Sequence, residues 1–208
     1  MTIGAQPTTT GLHLLVDSTA IKMLGEGEWK TKKHGADYGC QWRKVHLGID
    51  AGTLEIRAIE ATDNATGDAS ILPCLLDQIP DDENVASVSG DCAYDTKACH
   101  EAIAHRGAQA VILTRKNAKP WKDQRPGANA CNAILAATRR LGRKIWKKWS
   151  AYHQRSLVET KTRCFKLLGE RVMARDFDRQ VAELQVRAAI LNRFTRLGTH
   201  TTVAETMP

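Results

Sequence analysis

Residues 45–60, Val45-His46-Leu47-Gly48-Ile49-Asp50-Ala51-Gly52-Thr53-Leu54-Glu55-Ile56-Arg57-Ala58-Ile59-Glu60, decide the fold. Val45 to Ile49 reads as a strand, Ala51-Gly52 as a turn, and Leu54 to Glu60 alternates apolar and polar residues like a half-buried strand. Strands joined by so short a turn pair antiparallel. Upstream, the apolar run Leu12 to Val16 ends at Asp17 and completes a three-strand meander across the polar, charged connection Gly25 to Gly39. Downstream the rhythm changes. Ala69 to Ile79 carries Ile71, Leu72, Leu75, Leu76 and Ile79 at helical spacing, with Asp68 and Ser70 as caps. A strand follows at Val85 to Ser89, then a helix from Thr96 to His105 closed by Gly107, then a strand at Ala110 to Leu113. Alternating strands and helices imply parallel crossovers, so the expectation is an α/β fold with a mixed five-stranded sheet flanked by helices.

Asn117 to Asn129 reads as a loop, with two prolines and a glycine among its charges. The remainder reads as a long C-terminal helical part: Cys131 to Leu141, Arg143 to Ala174, and Arg179 to Leu197. The expected organisation is a disordered leader over 1–11, one domain over 12–197 and a disordered tail over 198–208. No apolar run approaches the 18 residues of a membrane span, and Met1 to Thr10 lacks the pattern of a secretory signal. The six cysteines are scattered without a C-x-x-C pair, as expected of reduced thiols in a cytoplasmic chain.

The net charge of +7 is unevenly spread. Arg115 to Lys166 holds fifteen Lys or Arg against Asp123 and Glu159, a balance of +13, which leaves −6 for the other 156 residues. Basicity confined to a quarter of the chain is the footprint of a polyanion partner, or else a solvated helix face.

Three carboxylates stand out by position. Asp17 ends the first strand, Asp91 ends the fourth within Ser89-Gly90-Asp91-Cys92-Ala93-Tyr94-Asp95, and Glu159 lies alone among cations. Acids at strand ends cap turns or face the crevice where α/β folds place ligands. Three together make a hard oxygen site suited to Mg²⁺ or Mn²⁺. On one continuous helix Tyr152, Arg155, Glu159 and Lys166 fall within about 60° of arc, joined by Arg163. That face suits phosphate and metal together, or a row of i,i+4 ion pairs. Trp146 and Trp149 read as packing residues, His13 and His46 as packed imidazoles, and Cys99-His100 with His105 lacks zinc spacing. Asp95 supports Asp91 or caps the following helix.

The spacing Y-x2-R-x3-E-x6-K of Tyr152, Arg155, Glu159 and Lys166 resembles the signature of bacterial insertion-sequence transposases of the DDE class. Val16-Asp17-Ser18-Thr19 and Gly90-Asp91-x-Ala93-Tyr94-Asp95 resemble that family's two Asp motifs, in order, and Trp42-Arg43-Lys44-Val45-His46-Leu47 resembles its second strand. The likeness is to the IS-five-like group of the IS-four superfamily and runs from about Leu12 to Leu197. It implies an RNase H-like catalytic domain in which Asp17, Asp91 and Glu159 hold two divalent ions, Mg²⁺ or Mn²⁺, for phosphodiester cleavage at transposon ends and strand transfer. Arg155 and Lys166 would then meet phosphates, and Tyr152 the transposon-end backbone. Arg163, Arg43, Lys44, Lys147, Lys148 and the connection Lys30 to His34 would supply further contacts to double-stranded DNA.

Two positions depart from the group's small residues, Ala20 and Cys92. The short leader also implies either a DNA-binding subunit encoded upstream or a truncated copy that binds DNA without cutting it. A homodimer or larger active complex on the bacterial nucleoid is implied as well. An RNase H-like nuclease, which cleaves but does not join, is the remaining alternative.

Overall fold

The computed structural model describes residues 11–23 and 42–198. The expected leader and tail, and the connection carrying Lys30 to His34, lie outside the described residues except at their edges, Gly11 and Gly198. The strands are β1 (Leu12–Met23), β2 (Trp42–Asp50), β3 (Ile56–Thr62), β4 (Val85–Gly90), β5 (Gln109–Ile112) and β6 (Arg171–Val172). Their order is β3-β2-β1-β4-β5, with β6 alongside β1. β1, β2 and β3 pair antiparallel, whereas β1–β4 and β4–β5 pair parallel. This is the mixed sheet expected, with the order of an RNase H-like fold. The two-residue β6 beside Lys22 and Met23 makes it six-stranded.

Alternation along the strands divides the core in two. Leu12, Leu14 and Val16 face a layer built from α1 (Asp68–Asp77), α2 (Lys97–His105) and α3 (Pro126–Leu141). Leu15 and Ile21, with Val45, Leu47 and Ile49 of β2, face α5 (Ser156–Leu167) and α6 (Phe177–Leu197). Residues of opposite parity on one strand thus serve opposite layers.

Three expectations are corrected. β1 does not end at Asp17: pairing with β2 continues from Asp17↔Leu47 to Lys22↔Trp42, so Asp17 sits mid-strand. α3 starts at Pro126, inside the expected loop, because Pro at the first helical position costs no hydrogen bond. The segment Arg143 to Ala174 is not one helix. It divides into α4 (Arg143–Trp149), a 3-10 turn (Tyr152–Arg155), α5 and β6. The joint is Ala151, held at φ 55°. Tyr152 and Arg155 therefore precede the helix that carries Glu159 and Lys166, and the single-face arithmetic does not apply to all four.

Trp146 is buried at 2% exposure, as expected, but Trp149 is 69% exposed and does not pack. His46 is fully buried, whereas His13 is exposed and bonded to the Ser87 hydroxyl at 2.8 Å. Among the described residues no helix is long and apolar enough to cross a membrane.

Candidate active site

Asp17 and Asp91 meet through strand register. β1 and β4 run parallel with Leu15 opposite Ser89, and two further residues along each chain bring Asp17 level with Asp91. β4 stops at Gly90 because the chain folds back there. A side-chain carbon on Gly90 would lie 2.8 Å from the Tyr94 ring and 3.1 Å from Val16, so only glycine admits the buried tyrosine. The reversal is a 3-10 turn (Cys92–Tyr94) capped by Asp91 itself, whose carboxylate accepts the Ala93 N–H at 2.8 Å. Asp91 is thereby oriented by its own backbone.

Glu159 comes from the other layer. Val158 and Phe165 of α5 pack with Leu15 and Ile21, which lays the start of the helix over β1. Glu159 sits in the first turn, where the helix N-terminus favours an acid. It is ion-paired with Arg155. Burial raises the Asp17 carboxyl above its ordinary range. The Ser18 N–H and Arg155 oppose that rise, and the negative charges of Asp91 and Glu159 add to it. Asp17, Asp91, Glu159 and Arg155 therefore share one electrostatic neighbourhood, although Glu159 is turned to Arg155 and the three acids do not close into a tight cluster.

The predicted cations divide by place. The Tyr152 ring packs against Trp146 at 5.9 Å, and the Lys147 ammonium lies 5.3 Å from its centre. Burial raises the Tyr152 phenol, with Arg155 opposing and Asp91 adding, which puts Tyr152 beside the carboxylates. Lys148 and Arg163 are exposed and Lys166 half-buried, on α4 and α5. Arg43 and Lys44 do not join them. Arg43 donates to Gln180 at 2.8 Å and stacks on Phe177, fastening β2 to α6. Lys44, on the opposite face, pairs with Asp68 at 2.9 Å and donates to the Thr66 carbonyl.

Two groups escaped the sequence reading. Asp68 is not an N-cap. It is the first residue of α1, and it faces Lys44, with His46 at 3.6 Å. Its charge, with those of Asp17 and Asp91, adds to the burial that raises the Tyr94 phenol. Asp95 neither supports Asp91 nor caps α2, a task done by Thr96. It lies instead with His100 and Cys131, and among the described residues this is the one set of three such side chains whose ligand atoms all fall within 4.8 Å of one another. Cys131 is 31 residues from His100, a gap that no metal motif signals.

A family model described as the transposase DDE domain matches residues 8–193 of this chain. No solved structure matches it.

Proposed function

The chain belongs to the transposase DDE-domain family, and on that premise we propose that it cuts phosphodiesters at transposon ends and joins them to target DNA, with Asp17, Asp91 and Glu159 as its catalytic carboxylates. The observation that carries this reading is the shared neighbourhood of the three acids, drawn from β1, the turn that ends β4, and α5. Their oxygens are the donor set that Mg²⁺ or Mn²⁺ prefers. The repulsion from Asp91 and Glu159 that helps raise Asp17 is what a divalent cation would relieve. Asp17, Asp91 and Glu159 would hold two such ions, which supply charge neutralisation at the entering and leaving oxygens.

The protein's own groups position the DNA. Arg155, now paired with Glu159, is placed to take a phosphate oxygen instead. Tyr152 is braced by Trp146 and flanked by Lys147, so it presents a fixed edge to the backbone beside the cleaved bond. Lys166, Arg163 and Lys148 extend this basic track. Arg43 and Lys44 reach DNA only by leaving Gln180, Phe177 and Asp68. Pairing two DNA ends requires at least a homodimer in the active complex. Membership of the IS-five-like group, a bacterial nucleoid setting, residues 12–197 as the catalytic domain and a separately encoded DNA-binding subunit belong to the same proposal.

The test is strand joining by the full chain on pre-nicked element ends and a supercoiled target, with Mg²⁺, Mn²⁺ or chelator, beside Asp91→Asn. Metal-dependent joined product that the variant lacks is the expected result. Cleavage without joining would mean a nuclease. Salt-sensitive DNA binding alone, unrescued by the product of any upstream reading frame, would mean a non-catalytic remnant.

A further inference from the structure

We propose that Asp95, His100 and Cys131 form a binding site for a borderline-soft divalent cation of the Zn²⁺ class, distinct from the oxygen site of the catalytic carboxylates. The three side chains offer one oxygen, one nitrogen and one sulfur. Mg²⁺ avoids that set, whereas Zn²⁺ and Co²⁺ accept it. The spacing is already suitable. His100 Nε2 lies 3.2 Å from Asp95 Oδ1, and Cys131 Sγ lies 3.7 Å from the same oxygen. Ligands at ordinary zinc bond lengths in a tetrahedron sit about 3.3–3.6 Å apart at their edges. The third separation, nitrogen to sulfur, is within 4.8 Å.

The surroundings hold the ligands in place. His100 and Cys131 are buried, and the Trp121 ring stands edge-on to the imidazole at 5.5 Å. The second oxygen of Asp95 accepts the Arg115 N–H at 2.9 Å, which turns the first toward His100 and Cys131, as supporting hydrogen bonds do for ligating carboxylates. Helix contact completes the set. A side-chain carbon at Gly127 would lie 2.5 Å from the Glu101 nitrogen, so glycine lets α3 lie against the backbone of α2. Cys131, one turn on, is carried to His100 by that approach.

Without metal, the imidazole and thiol both turn toward the single oxygen Oδ1, and His100 Nδ1 is buried without a hydrogen-bond partner. Burial and the facing Asp95 carboxylate hold the thiol protonated up to about 12. Coordination removes that proton: the S–H bond breaks, a metal–sulfur bond forms and the proton passes to the buffer. A proton on Nε2 moves to Nδ1 as Nε2 takes up the metal. The cation then ties the turn that follows Asp91 to α2 and α3 at once.

The experiment is titration of the chelator-treated full chain with Co²⁺, read by thiolate-to-cobalt charge-transfer absorption. The expected result is a band that Zn²⁺ abolishes and excess Mg²⁺ does not, lost in Cys131→Ser and kept in Cys92→Ser, the exposed thiol beside Asp91. His100→Gln, checked for fold by circular dichroism, weakens Co²⁺ binding about 10-fold or more. No band at saturation, or a band that survives in Cys131→Ser, overturns the proposal. Because the readout requires sulfur and not DNA cleavage, it is independent of the transposase reading.

Discussion

Asp17 carries a proton more readily than an ordinary carboxyl because burial and two neighbouring acids disfavour its charge. A raised acid weakens the fold when ionised. The cost is full at neutral pH, fades as pH falls through the raised value and vanishes below the unfolded value of 3.8. Asp17→Asn keeps the acceptor for the Ser18 N–H and removes the charge. It is expected to abolish joining while stabilising the chain at pH 7, with a gain that shrinks toward pH 4. Thermal melts across that range, beside the joining assay, check both halves; a loss of stability at neutral pH would contradict this account of the site. Asp91 and Glu159 are singled out by local patterns, an acid at a strand end and an acid among cations, whereas Asp17 is singled out as a strand end and in fact sits mid-strand. Asp68 and Cys131 were not legible in the sequence, since their partners lie on other elements and only tertiary packing supplies them.

At the scale of elements, five strands of the sheet were readable because hydrophobic patterning and turn residues mark them, whereas the two-residue β6 carries no such mark. The break at 150–155 was not readable either. Ser150-Ala151 carries neither Gly nor Pro, and the residues on both sides continue a helical pattern. The chain nonetheless turns there, with Ala151 in the left-handed region that costs a residue with a Cβ about 1–2 kcal/mol. Ala151→Gly relieves that cost and adds unfolded-state entropy, for a net gain of about 0.5–1 kcal/mol, or ~1–4 °C in the melting midpoint. An unchanged or lower midpoint would show that the joint is not strained. The extension of β1 beyond Asp17 escaped reading for a different reason. Ser18-Thr19-Ala20 has no apolar signal of its own and is held as strand by pairing with β2.

For the whole molecule, Glu159 lies within the basic quarter of the chain, whereas the other two proposed catalytic acids stand at the sheet. Arg155, Tyr152 and Lys147 cluster at the joint between α4 and α5, while Asp17 stands on β1 and Asp91 just past the end of β4. β1 is bonded to β2 from Leu14 to Lys22 on one side, and on the other to β4 from Leu12 to Leu15 and to β6 at Lys22 and Met23, so it is tied to three strands. Native-state hydrogen exchange is therefore expected to open β1 only with global unfolding, and the turn at Tyr152–Arg155 with the first turn of α5 well before it. Equal protection of the two segments would count against this. The consequence is a division of labour in time. On that expectation Asp17 rides on a strand that persists for the life of the folded chain and Glu159 on a helix turn that opens and recloses many times within it, so the proposed reactive centre is assembled and dismantled without loss of the fold.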